Sequence, residues 1–419
     1  RARDYQEYAL KKMVKGRGGA LLMEPRTGKT KVAVDFCGRF YFKGLRRVLV
    51  IAPLTVLTVW EREIEKHLGN MVPRRVVCPT GHIRKRVKEL HDLDNSEALT
   101  FVLVNYDACW NPELKKELDA YKPQCVIADE SHLIKNPTSR RSKAVCSYGD
   151  AQYKLILTGT MITKNPLDIY GQWNFLRPGV LGTNWYAFQA TYAIFGGYMN
   201  YEIVGYKNLD HLRLKVIKDS YMVTADTALG LPPRTYQDID VTLMPSSRRM
   251  YDKMEKDFFL ELGDGNNISA PIVLTKLLRL SQITGGFVPD QDGVPHPAGT
   301  EKLVALRELL QNYTYSGLKV VVFARFLWEI EQIVKICKAD KIGVEQLQGS
   351  MSTDARDKAI DNFKNNPKSL VFVSQIATGA LGIDLSSAAV EIFYSRDFDY
   401  GHYVQACDRI ICPGQKALY

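Results

Sequence analysis

Residues 125–132 read CVIADESH, and this stretch decides the fold. Cys125 to Ala128 are apolar or small at every position, and two carboxylates and a histidine follow at once. A strand with one wet face alternates, whereas an unbroken short run suits a strand covered on both faces of a parallel sheet. Asp129 therefore closes a buried strand at its carboxyl end, the edge where open α/β sheets bind ligands. Runs of the same kind lie upstream and downstream: RRVLVIAP (46–53), TFVLVN (100–105) and KLILTGT (154–160). A second series comprises KVVVFAR (319–325), LVFVSQ (370–375) and VEIFYS (390–395). Amphipathic stretches separate them, such as LTVLTVWEREIEKHL (54–68) with Leu57, Trp60, Ile64 and Leu68 on one face. This alternation predicts βαβ units and two α/β lobes.

The intervening sequence differs. Residues 171–230 are rich in aromatics, among them Trp173, Phe175, Trp185, Phe188 and Tyr192. They read as irregular helices forming a protrusion of the first lobe, with the aromatics as core rather than a base-stacking platform. LGLPPR (229–234) breaks any helix, because proline lacks the amide donor and clashes with the preceding turn. The expected first lobe is thus 1–230 and the second 231–419, the latter with a helical insertion at about 245–290. The stretch 289–300 reads as a loop.

Composition narrows the class. The 419 residues carry a net charge of +10 and are 46% apolar, which excludes a disordered chain. No run approaches the ~18 consecutive apolar residues of a membrane span, so a cytoplasmic protein with no membrane partner is expected. The eight cysteines form no CxxC pair, so reduced, packed thiols are expected and no structural zinc. The chain opens at Arg1 without methionine and is expected to be an excerpt of a longer product.

A second motif complements the first. MEPRTGKT (23–30) follows the apolar Ala20–Met23 and precedes a helical pattern. A Gly-Lys-Thr opening a helix cradles phosphates with the main-chain N–H groups of Arg26, Thr27, Gly28, Lys29 and Thr30. Lys29 then reaches the β- and γ-phosphates and the Thr30 hydroxyl a magnesium ion, so ATP and Mg2+ are the expected ligands. The fuller pattern asks for glycine where this chain has Met23. Asp129 is the expected second magnesium ligand, and Glu130 the group that polarises the attacking water. A surface acidic pair capping a strand is the plain alternative.

In one order along the chain stand Tyr5-Gln6, Gly28–Thr30, IAPLTVLTVW (51–60), DESH (129–132) with Lys135-Asn136, LTGT (157–160), QGS (348–350), TGALGIDL (378–385) and QACDRIICPGQ (405–415). This order resembles the superfamily-two helicase motifs, and in wording the Swi/Snf family of DNA-dependent ATPases, particularly its compact phage and prophage members. The resemblance implies two tandem RecA-like parallel-sheet lobes with helical insertions. It further implies that Gln6 reads adenine and that Thr158, Thr160 and Gln405 couple hydrolysis to lobe movement. Gly382 and Asp384 would face the nucleotide and nucleic acid, and Arg409 would meet the γ-phosphate. Its partner is DNA, expected to be duplex and held by the backbone irrespective of sequence, at Pro53, Thr55, Tyr106, Ser350, Arg356 and Thr378. One departure stands out. Cys412 occupies the place of the family's second arginine. Three activities follow as expectations: a translocase that does not separate strands, a strand-separating or annealing helicase, and an ATP-binding scaffold with weak hydrolysis.

Overall fold

The computed structural model describes all residues except 1, 2, 71, 94–96, 160, 163, 164, 198–201, 230–234, 264–269, 380–382 and 411–419; for a few residues within helices, Thr55 among them, it describes the backbone alone. The chain divides into two compact units, residues 1–231 and 232–419.

Among the described residues the first unit is built on nine strands: β1 (Gly18–Met23), β2 (Arg47–Ala52), β3 (Arg74–Val77), β4 (Leu99–Asn105), β5 (Cys125–Asp129), β6 (Tyr153–Thr158), β7 (Ala193–Gly196), β8 (Glu202–Tyr206) and β9 (Ser220–Val223). Seven of them form one sheet in the order β3-β4-β2-β5-β6-β1-β9, and every pairing in it is parallel. The unbroken apolar runs have the reason expected of them. Leu49, Ile51, Val102, Val104, Val126 and Ala128 join one core cluster, while Val48, Val50, Phe101, Leu103, Cys125 and Ile127 join another. Successive strand residues point to opposite faces, so two cores require apolar side chains at every position. The second cluster lies under α1 (Asp4–Lys15), α2 (Lys29–Tyr41) and α3 (Leu57–Leu68), with Leu57, Trp60, Ile64 and Leu68 buried as the periodicity predicts.

The expected helical protrusion at 171–230 is corrected in part. Helices do form at Ile169–Leu176, Trp185–Tyr192 and Leu209–Ile217. Between the last two, β7 and β8 make an antiparallel hairpin, and β9 returns to the main sheet beside β1. Trp173, Phe175, Phe188 and Tyr192 are buried in the first core cluster.

In the second unit, helices Pro245–Gly263 and Ala270–Thr284 precede a hairpin of β10 (Phe287–Pro289) and β11 (Pro295–Pro297), which occupies part of the expected loop. A parallel sheet follows, built from β12 (Val320–Ala324), β13 (Gly343–Leu347), β14 (Ser369–Gln375) and β15 (Val390–Phe393) in the order β13-β14-β12-β15. Helices Glu301–Tyr315, Leu327–Ala339 and Thr353–Asn365 belong to the same unit. Among the described residues all cysteines are free, and no helix is long and apolar enough to cross a membrane.

Candidate nucleotide site

The carboxyl ends of β5, β6 and β1 lie side by side, because Asp129 is in register with Leu157 and Thr158 with Leu22. The functional side chains of the first unit gather on this edge. Past β1 the chain turns through Arg26, at φ 65°, to Gly28, at φ 87° and ψ 36°, which is the N-cap of α2. The first N–H groups of a helix have no acceptor within it and carry the positive end of its dipole. No acidic residue stands in the first turn of α2, so nothing there competes with an anion. Thr27 is buried, and its hydroxyl closes the turn by donating to the Glu24 carbonyl at 2.7 Å.

The α1 helix braces this loop. Tyr5 donates its phenolic O–H, and Gln6 its side-chain amide, to the Thr27 carbonyl at 3.0 and 2.9 Å. Gln6 Oε1 also accepts from the Arg3 amide at 3.0 Å. One amide hydrogen and one lone pair of Gln6 remain for another partner. Lys29 Nζ donates to the Met23 carbonyl at 2.7 Å, which holds the ammonium over the strand end.

Asp129 is 8% exposed. One carboxylate oxygen accepts from Trp60 Nε1 at 2.8 Å, the other from the Glu130 amide at 3.0 Å. Its main-chain carbonyl accepts the Tyr106 hydroxyl at 2.6 Å. Burial, and then the charge of Glu130, push the Asp129 carboxyl up to about 6, against the opposing pull of the Trp60 hydrogen bond and the Lys29 charge. A carboxylate kept costly in this way is suited to a cation. With the Thr30 hydroxyl it offers hard oxygen donors, as Mg2+ requires when phosphates and water complete its shell.

Glu130 adopts φ 50° and ψ 53°, a left-handed conformation that caps the single turn Ser131–Ile134. His132 Nδ1 lies 3.3 Å from Glu130 Oε2 and 3.4 Å from the buried Thr158 hydroxyl, so the imidazole spans the ends of β5 and β6. Ser131 donates to Gln172 Oε1 at 2.7 Å, and the Gln172 amide donates to the Met161 and Asp168 carbonyls at 2.8 and 3.0 Å. Sequence reading assigned no polar role to Trp60, Ser131 or Gln172. Trp60 was legible only as part of an apolar face, and nothing in the sequence marks the other two.

The remaining expected residues fall into separate places. Pro53 is half-buried beside the turn Leu54–Val56, with Leu54 at its surface, and Thr55 contributes its backbone to that turn. Tyr106 is a correction. Its ring is 3% exposed and its hydroxyl is bonded inward to Asp129, so it braces β5 and presents no side chain to a phosphate. In the second unit Ser350 is exposed after β13, and Arg356 Nη2 donates to the Gly349 carbonyl of the same turn at 2.7 Å. Thr378 is half-buried after β14, and a Cβ built on Gly349 would lie 3.8 Å from its hydroxyl. Asp384 pairs with Lys364 at 2.8 Å on the exposed surface. Gln405 is half-buried on the helix Tyr400–Cys407, and the Arg409 carbonyl accepts from the Leu385 amide at 3.2 Å. Thr160, Gly382 and Cys412 lie outside the described residues.

Comparison with known proteins places these motifs. The SNF2-related domain model matches residues 5–285 and the helicase conserved C-terminal domain model residues 301–414. The mouse SWI/SNF-related matrix-associated actin-dependent regulator of chromatin subfamily A member 1 is 26% identical over 99% of this chain and 40% of its own length. An uncharacterized ATP-dependent helicase of Mycoplasma genitalium is 26% identical over 95% of this chain and 37% of its own. The chain therefore spans well under half the length of these relatives. Among solved structures, the Sulfolobus solfataricus SWI2/SNF2 ATPase core in complex with dsDNA is similar at 24% identity and a TM-score of 0.49, covering 100% of this chain and 86% of that one. With its two matched domains accounting for nearly the whole sequence, the chain belongs to the SNF2-related, Swi/Snf-type family of superfamily-two helicase-like ATPases.

Proposed function

We propose that the chain is an ATP-driven DNA translocase, which hydrolyses ATP while holding duplex DNA and moves along it without obligatory strand separation. One observation carries this reading: the N-terminus of α2, the Asp129 carboxylate and Glu130 converge on neighbouring strand ends. Phosphoryl transfer needs little more from a protein than positioning and charge stabilisation of this kind. In this reading the α2 N–H groups cradle the phosphates and Lys29 exchanges the Met23 carbonyl for a phosphate oxygen. The remaining donor and acceptor of Gln6 meet the adenine edge. Glu130, held by His132, orients a water and takes its proton. Thr30 and Asp129 would hold magnesium, which when bound neutralises charge on the β- and γ-phosphates.

Several roles are carried here by family likeness alone. Arg409 supplies a cation to the charge developing on the transferring group. Thr158, Thr160 and Gln405 link hydrolysis to movement, with Gly382 and Asp384 facing nucleotide and nucleic acid. The segments holding Pro53, Thr55, Ser350, Arg356 and Thr378 grip DNA phosphates. The net charge of +10 and the likeness to the mouse relative, named as a regulator of chromatin, support DNA as the partner.

Displacement of a third strand from a triplex, run beside unwinding of a forked duplex, tests the reading. ATP-dependent triplex displacement without unwinding is expected, and unwinding would favour the helicase alternative. Cys412 motivates a second reading, a scaffold that holds ATP and hydrolyses it weakly. Background hydrolysis on saturating duplex, restored by Cys412→Arg, would establish it.

A further inference from the structure

Among the described residues β7 and β8 pair with each other and with no other strand. Their inner end is fixed: Ala193 is buried in the first core cluster, and Tyr206, opposite it on the ladder, packs against the same cluster. Further out the ribbon is apolar where it meets solvent. Ile194, Phe195, Ile203 and Val204 are all exposed, Val204 to 62%. Phe195 faces Ile203 across the ladder, whereas Ile194, the residue before it, points to the other side. Val204 is the extra residue of a bulge in β8, and bulges re-aim side chains. It joins the Ile194 side, since a Cβ built on Gly196, next after Phe195, would meet both Val204 methyl groups at 3.0 Å. Both faces of the outer ribbon therefore present hydrocarbon, and a contiguous apolar patch of this kind marks a contact surface. The charge around it is positive. Lys207 follows β8 at once, and Arg213 and Lys218 stand in and just after the helix Leu209–Ile217; all three are exposed, and among the described residues no carboxylate pairs with them. A protein surface docked on the hairpin would cover one face and leave the other wet. A ribbon apolar on both faces fits a partner that encloses it, as bases do when apolar side chains enter between them and cations hold the flanking phosphates.

We propose that the β7–β8 hairpin inserts Ile194, Phe195, Ile203 and Val204 among unpaired bases, so that the favoured substrate is duplex DNA carrying a locally opened segment. The inference rests on the DNA reading above and deepens it, adding a contact with bases where the segments named there hold only phosphates. It asks for no strand separation by the chain. The hairpin recognises an opening already present, where unstacking costs least.

Fluorescence anisotropy of the full chain, titrated without nucleotide onto a blunt duplex and onto the same duplex with a central bubble of mismatched bases, tests this. The bubble is expected to bind about fivefold or more tightly than the blunt duplex, the worth of a single stacked base. Phe195→Ser and Val204→Ser, both at exposed positions, are each expected to bring that ratio toward one. Affinity for the blunt duplex, and the ATPase rate that it stimulates, should stay near the parent values. Equal binding of bubble and blunt duplex by the parent chain overturns the proposal. So does full preference for the bubble in both variants, the result expected if a protein covers the hairpin instead. A parent chain that binds neither DNA overturns the functional reading as well. Should Phe195→Ser lose its melting transition, Val204→Ser, at the more exposed position, decides alone.

Discussion

Gln6 Nε2 stands 2.3 Å from the position a Cβ would take on Gly28, and the same nitrogen donates to the neighbouring Thr27 carbonyl. The first helix of the chain is therefore pressed so closely against the loop before α2 that a Cβ at position 28 would displace the Gln6 amide. Gly28 also holds φ 87°, a conformation that costs an L-residue about 1–2 kcal/mol. Gly28→Ala should weaken ATP binding at least tenfold while the unit stays folded. Because the clash involves Gln6 itself, adding Gln6→Ala should lose less than the two single effects summed. Nucleotide titration of the three variants checks both statements.

Lys29 and Glu130 are expected to separate binding from turnover. Lys29→Ala removes the ammonium at the strand end and should abolish turnover. Glu130→Gln removes the proposed proton acceptor and keeps the shape, so ATP should still bind while turnover falls by about a hundredfold or more. Equal loss of binding in both would contradict the assignment.

The Asp129 carboxyl gives a pH dependence whose sign is fixed. Its folded-state value, about 6, is raised above the ordinary 3.8 chiefly by burial. Its contribution to stability is thus fully present below the unfolded value and lost as pH rises through about 6. In the proposed site Mg2+ binds the ionised form and should offset that loss. The rise in Tm on adding Mg2+ should therefore be larger at pH 7.5 than at pH 5.5, which thermal melts at the two values measure directly.

Gly171 supports the Glu130 turn from below. A Cβ there would fall 2.0 Å from the Ile134 carbonyl oxygen and 2.9 Å from that of Lys135. Gly171→Ala should destabilise the first unit by about 1–3 kcal/mol, the usual cost of overpacking. It should also lower turnover, since the displaced carbonyl ends the turn that Glu130 caps. Denaturant unfolding and kcat read the two effects.

The central strands were legible in the sequence because they are covered on both faces. Within the two parallel sheets the strands that escaped, β3, β9 and β13, all stand at edges, and the hairpin strands β7, β8, β10 and β11 escaped as well. RRVV, SYMV and GVEQL carry polar residues that an edge tolerates, and so show no unbroken apolar run. The positions of Lys29, Asp129 and Glu130 were legible for a related reason: short motifs at strand ends report where the chain leaves the sheet. Trp60 was legible as a buried residue, whereas the inward turn of Tyr106 was not. Periodicity reports that an indole is buried but not what its N–H meets, and a tyrosine in a surface-facing motif gives no sign that its hydroxyl turns inward.

Hydrolysis at the Asp129 edge is expected to answer to duplex DNA. Steady-state ATPase rate against duplex concentration, with Lys29→Ala as the control, tests it most directly. A saturable rise in kcat with duplex is expected, absent from Lys29→Ala and weakened by added salt. A rate indifferent to duplex at every concentration, in a chain that still binds ATP and magnesium, would contradict it.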